Sequence, residues 1–116
     1  MALAPKFAGQ RFLAGSSTSS GSTSAVHTLE LYLDYVCPFS AKMFSTVYNS
    51  VFPIGEKKYP QKVQFIFRQQ IQPWHPSSTL VHEAGVAVLK TKPEAFWKFS
   101  DVSIFLLSEI CRLSQR

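Results

Sequence analysis

The feature that most constrains this chain is a β-strand pattern that runs directly into the start of a helix. Apolar and polar residues alternate from His27 to Tyr35 within a β-like run that reaches Val36, and Cys37-Pro38-Phe39-Ser40 then opens an apolar-periodic segment. Proline suits the first turn of a helix because its φ angle is already helical and its missing N–H would have no partner there. The pattern predicts that Cys37 caps the helix, where unpaired N–H groups and the helix dipole favour a thiolate.

Two further segments extend this pattern into a strand, helix, strand unit. A helix is predicted over residues 38–51, where Pro53 and Gly55 would end it. The alternating run from Lys62 to Gln70 is predicted as the second strand. Because a helical connection joins them, the two strands are expected to be parallel.

Two helices are predicted after the second strand. The first covers residues 78–90, and its inward-facing residues are expected to be Leu80, Val81, Ala84 and Val88. Thr91 and Glu94 have the spacing of a capping box, which predicts a further helix from about Lys92 to Arg112.

The segment Asp34-Tyr35-Val36-Cys37-Pro38-Phe39-Ser40 resembles the active-site segment of DsbA-like thioredoxin-fold proteins. The resemblance includes the branch of kappa-class glutathione transferases and chromene-carboxylate isomerases, and the order of elements agrees over residues 27–100. It implies a thioredoxin-like α/β fold with Cys37 and Ser40 as catalytic residues. Asp34, Pro38 and Phe39 would then surround the active site.

The chain departs from the family pattern at three points. Ser40 stands where dithiol members have a second cysteine, and Leu31 stands where thioredoxins keep a buried acid. The family also needs a C-terminal β-β-α unit with a cis-proline, which is not found before Arg116. We therefore expect a truncated member with a partial domain over residues 27–116, whose exposed sheet edge invites self-association.

The loop from Gln72 to Ser78 contains the second group of candidate residues. Parallel sheets bind ligands beyond the carboxyl ends of their strands, so Trp74 and His75 are predicted to border Cys37. An alternative stays open, in which Trp74 only caps the core. His82 is expected to lie on the surface of its helix.

Each candidate side chain also has a plainer interpretation. Cys37 at a strand end could be an inert core residue, since free cysteines are often buried. Ser40 is placed to donate a hydrogen bond to the sulfur, or else it is a helix-surface serine. Cys111 lies in an apolar helical segment and is predicted to be inert. The spacing of the histidines and cysteines does not suggest a metal site.

Composition limits the remaining classes. The net charge is +5, but the basic residues are scattered, which argues against a nucleic-acid groove. No apolar run is long enough to span a membrane. Residues 1–26 contain the Ser/Thr/Gly-rich stretch Gly15–Ser24 and are predicted to be a flexible segment, in which residues 5–13 either form a loose edge strand or are disordered. The default compartment is the reducing cytoplasm, with a mitochondrial location as the alternative because no acid precedes Glu30.

Three functional hypotheses follow. The first is thiol–disulfide exchange at Cys37 with protein thiols or glutathione, through a mixed disulfide that an external thiol resolves. The second is a glutathione-dependent transferase or isomerase of the kappa type, with glutathione as co-substrate. The third is a non-catalytic, truncated thioredoxin-like protein.

Overall fold

A computed structural model of the protein describes residues 5–15 and 27–114. Its strands are β1 (Arg11–Leu13), β2 (His27–Leu33) and β3 (Val63–Gln69). Its α-helices are α1 (Pro38–Thr46), α2 (Phe52–Lys58), α3 (Ser78–Thr91) and α4 (Phe96–Ser114). A π-helical segment (Val47–Val51) joins α1 to α2, and two 3-10 helices (Pro5–Gln10 and Pro93–Ala95) precede β1 and α4.

The strands form a three-stranded mixed sheet in the order β1-β3-β2. β2 runs parallel to β3, with Leu31 opposite Phe67 and Leu33 opposite Gln69. The predicted parallel pairing across a helical connection is therefore confirmed, and the protein is an α/β protein. The carboxyl ends of β2 and β3 lie at the same edge of the sheet, where the candidate residues follow each strand.

Residues 5–15 belong to the folded part of the chain. β1 pairs antiparallel with β3, and the ring of Phe12 stacks on Phe52 with ring centroids 4.0 Å apart. The predicted flexible segment 1–26 thus contains a short edge strand, because its apolar residues have a core to pack against. The predicted Ser-rich linker lies outside the described residues, apart from Gly15.

The helix that follows β2 is longer than the sequence predicts. It continues through the π-helical segment into α2 and ends at Lys58 instead of stopping at Pro53 and Gly55. Pro53 lies in the first turn of α2, after the widened π turn, where a missing N–H breaks few helical hydrogen bonds. Gly55 is buried against Ala14 and Phe65.

One face of the sheet is covered by α1, α2 and α4 around an aromatic core. Phe67 contacts the rings of Phe96 and Trp97 edge-on, at centroid distances of 5.3 and 6.0 Å. Phe44 of α1 is likewise fully buried beside Phe67. Burying one such side chain contributes about 1.5–3 kcal/mol, so these contacts fix how α1 and α4 lie on the sheet.

The buried face of the third helix agrees only in part with the one predicted. Val81 and Val88 are partly buried against the core, as predicted, but Leu80 and Ala84 are exposed. The fully buried residues of α3 are Ser78, His82, Gly85 and Leu89. The predicted capping box is also absent from the structure, since the Thr91 hydroxyl donates to the carbonyl of Ala87 within α3. The helix turns a largely polar stripe inward because it packs over a buried carboxylate at the end of β2.

Candidate functional site

Cys37 is the N-cap residue of α1, as predicted from Pro38. Its backbone is extended, with φ −82° and ψ 121°, and its carbonyl accepts the N–H of Ala41 at 3.0 Å. Its own N–H donates to the carbonyl of Asp34 at 3.2 Å. The side chain is half-buried, forms no capping hydrogen bond and is a free thiol. The helix start thus holds the backbone of Cys37 and leaves its sulfur available.

Ser40 lies beneath this turn instead of pointing its hydroxyl at the sulfur. The hydroxyl oxygen accepts a hydrogen bond from the backbone N–H of Asp34 at 3.2 Å, and the side chain is buried. No hydrogen bond joins the Ser40 hydroxyl to the sulfur of Cys37 in the described part of the chain. The predicted donation is therefore replaced by a structural bond that ties the end of β2 to α1.

Asp34 is the centre of the site, although it is only 1% exposed. Its Oδ1 accepts the N–H of Val36 at 3.1 Å and the hydroxyl of Ser78, the first residue of α3. Its Oδ2 accepts the N–H of Gln72 at 2.9 Å and the Nδ1–H of His75 at 3.0 Å. One carboxylate therefore joins the segment before Cys37, the loop after β3 and the start of α3.

These contacts keep Asp34 ionised. Burial alone would raise the pKa of Asp34, but the hydrogen bonds from Ser78, Gln72, His75 and Val36 outweigh that effect and lower it. Since Ser78 begins α3, the carboxylate also lies at a helix N-terminus, where the helix dipole stabilises a negative charge. Asp34 is thus a buried anion in a prepared set of donors.

His75 presents one of its two ring nitrogens to Asp34. Nδ1 contacts the carboxylate, and among the described residues Nε2 makes no hydrogen bond. The side chain is 18% exposed. A turn in which the His75 N–H donates to the carbonyl of Gln72 at 2.9 Å holds the loop in place.

His82 is buried, contrary to the prediction that it lies on the helix surface. It is 4% exposed, and its Nε2 accepts the backbone N–H of Tyr35 at 3.5 Å and lies 3.8 Å from Asp34 Oδ1. Burial lowers the pKa of His82, while the charge of Asp34 opposes that change. Its Nδ1 is one of the buried polar atoms that have no partner in the described part of the chain.

Two aromatic side chains stand out into solvent around this edge. Phe39 is 82% exposed in the first turn of α1, and Trp74 is 69% exposed beside His75. The ring of Trp74 meets that of His75 edge-on at 6.2 Å. Trp74 therefore does not cap the core, and both rings are free to contact another molecule.

A shallow cavity of about 400 Å³ adjoins the Asp34 cluster between β3 and α3. Its lining consists of Gln69, Ile71, Thr79, His82, Glu83 and Val86. Over residues 5–15 and 27–114, no group of three potential ligands is arranged to hold a metal ion. In the same ranges, no helix is long and apolar enough to cross a membrane.

The structure brings together more residues than the sequence suggests. At one sheet edge Asp34 bonds to Cys37, Ser40 and His75, which are predicted site residues, and it also contacts Ser78 and His82, which are not. The available signal was Asp34 itself, because a carboxylate at the end of a buried strand needs donors from elsewhere in the chain.

Comparisons of the chain with protein-family models, with curated proteins and with solved structures give no match.

Proposed function

We propose that this protein is a thiol–disulfide oxidoreductase of the DsbA-like, thioredoxin-fold type, with Cys37 as its nucleophile. The observation that carries the proposal is the position of Cys37, which caps α1 directly after the parallel strand β2 with a thiol that no capping bond occupies. Backbone N–H groups at a helix start favour the thiolate, which is the form that attacks disulfides. A free thiol of this kind suits a reducing compartment such as the cytoplasm.

The reaction we propose uses one cysteine of the protein. The Cys37 thiolate attacks a disulfide and forms a mixed disulfide, and an external thiol such as glutathione then releases Cys37. Ser40 in place of a second cysteine fits this monothiol chemistry. Phe39, two residues after Cys37, and Trp74, against His75, offer exposed apolar surface for a substrate protein.

A transferase of the kappa type is less well supported. That chemistry would need Ser40 or Cys37 to contact the glutathione sulfur, and the Ser40 hydroxyl is buried and bonded to the N–H of Asp34. Cys37 alone would have to activate the bound thiol. We therefore place exchange at Cys37 first.

The proposal is tested by glutathionylation followed by turnover. The reduced protein is incubated with glutathione disulfide, the modified cysteine is identified by mass spectrometry, and release by added glutathione is timed. We expect the adduct on Cys37 in the wild type and in Cys111→Ser, and its loss in Cys37→Ser. An adduct that forms but is not released faster than from a model peptide would favour the non-catalytic hypothesis. No adduct on Cys37 would contradict both the nucleophile and the fold-family assignment.

A further inference from the structure

The parallel arrangement of β2 and β3 brings His75 into contact with Asp34, three residues before Cys37. Asp34 follows β2 and accepts the N–H of Cys37 on its carbonyl, while its carboxylate binds Gln72 and His75 from the loop after β3. The nucleophile and the imidazole are therefore both attached to the same residue. Both contacts to Asp34 are already formed in this structure, so neither the Cys37 turn nor the loop that carries His75 has to move to make them.

The hydrogen bond to Asp34 determines which nitrogen of His75 can take up a proton. An ionised carboxylate only accepts hydrogen bonds, so Nδ1 must carry a hydrogen. In neutral His75 the lone pair then lies on Nε2, the nitrogen without a partner among the described residues. A carboxylate that orients an imidazole in this way is the arrangement by which histidine acts as a general base.

The other groups near this centre are poorly placed for the same task. Leu31 is apolar and lies in the core, and the Ser40 hydroxyl is engaged with Asp34. His82 is buried and already accepts the N–H of Tyr35 through Nε2. Glu83 is exposed on the rim of the cavity beside α3 and does not bond to Asp34.

We propose that His75, oriented by Asp34, is the base that activates the incoming thiol in the exchange reaction at Cys37. This inference rests on the proposed function and identifies how the mixed disulfide is resolved. The incoming thiol gives its proton to Nε2 of His75, and its sulfur attacks the substrate sulfur of the mixed disulfide. The bond to Cys37 breaks, and its electron pair leaves on the Cys37 sulfur. That thiolate then takes the proton from His75, so the step needs no further oxidant or reductant.

The test is the pH dependence of the resolving step, starting from protein that carries glutathione on Cys37. The rate constant for attack by a small thiol is measured in the wild type, in His75→Gln and in His75→Ala. We expect a pH dependence in the wild type that differs from that of both variants, and a loss of roughly 100-fold in the rate constant in both variants. Asp34 contacts His75 directly, and the two other titratable residues in contact with Asp34 are His82, through Oδ1, and Cys37, through the backbone carbonyl. Changing Asp34 to Asn is therefore expected to shift the whole pH profile.

Chemical rescue separates a base from a merely structural residue. Added imidazole should raise the rate constant of His75→Ala by at least about tenfold and should leave that of the wild type nearly unchanged. His27→Gln is the matched control, because His27 is exposed at the opposite end of β2. Unchanged rates and an unchanged pH profile in both His75 variants would overturn the inference, as would a loss of rate that imidazole does not rescue. In either case, continued formation of the Cys37 adduct would leave the proposed function intact.

Discussion

Nδ1 of His75 lies 3.0 Å from Oδ2 of Asp34, so the loop after β3 is fastened to the residue that follows β2. The same carboxylate accepts hydrogen bonds from Val36, Gln72 and Ser78. Asp34 therefore serves the fold and the site together, because the groups that stabilise its charge are the groups that position the candidate residues.

Asp34→Asn should destabilise the protein by about 2–4 kcal/mol. The amide keeps one oxygen acceptor but places an NH₂ group against two buried donors. Urea unfolding followed by circular dichroism measures the change. Asp101→Asn is the control, since among the described residues Asp101 pairs only with the exposed Lys98, and this substitution should cost less than about 1 kcal/mol. Equal losses in the two variants would show that Asp34 is not the organising residue.

Ser40→Ala should reduce stability by about 1–3 kcal/mol, because it leaves the buried N–H of Asp34 without an acceptor. The alkylation rate of Cys37 should change little, since no bond to the sulfur is removed. Ser45→Ala, on the exposed side of α1, should change stability by less than about 0.5 kcal/mol. A large fall in Cys37 reactivity at unchanged stability would instead support the bond from Ser40 to sulfur that the sequence predicts.

The free energy of unfolding should decrease as the pH falls from neutral. The lowered pKa of His82 means that the unfolded chain binds more protons below about pH 6.5, so stability falls from there. The lowered pKa of Asp34 adds a second loss below about pH 4, where the unfolded carboxylate is protonated first. Urea titrations across this range should show both losses.

Substitutions assign these two losses to their groups. His82→Gln should flatten the upper part of the pH dependence, and His27→Gln should leave it unchanged. A stability that rises on acidification would contradict the placement of a neutral, buried His82.

The edge of β2 should promote self-association, as the sequence suggests. Within residues 5–15 and 27–114 the outer edge of β2 has no partner strand, and Leu29 and Tyr32 are exposed along it. Tyr32→Lys should weaken association by at least about tenfold, because charged side chains discourage edge pairing. Sedimentation velocity over a concentration series measures the self-association. Tyr59→Lys is the control, because Tyr59 is exposed and lies outside the sheet. Equal association in both variants would mean that another surface is responsible.

Local signals in the sequence predict much of this architecture. Three of these signals depend only on neighbouring residues: the alternation before Asp34, the proline after Cys37 and the run from Lys62 to Gln70. They predict the parallel pair of strands and the start of α1 at Cys37, and the structure has both. The continuation past Pro53 was not predicted, because the π turn that accommodates it depends on packing of the whole segment.

The site itself is largely non-local, and most of it could not be predicted. The sequence pattern of α3 predicts that His82 lies on the surface. It is buried instead, because the hydrogen bond from Ser78 to Asp34 turns the polar face of α3 toward the carboxylate. The pair of Asp34 and His75 joins residues far apart in sequence, and only the shared sheet edge suggested that they lie near each other. The hydrogen-bond partners of the polar side chains at the site depend on the tertiary structure and are not predicted by local sequence.

The central claim, that Cys37 is a reactive nucleophile at a helix start, is tested most directly by its alkylation rate. Each cysteine is followed separately by mass spectrometry at neutral pH, in the folded protein and in urea. We predict that Cys37 reacts roughly tenfold faster folded than unfolded, and faster than Cys111 in the same folded chain. A folded Cys37 that reacts no faster than in the unfolded chain would contradict the account.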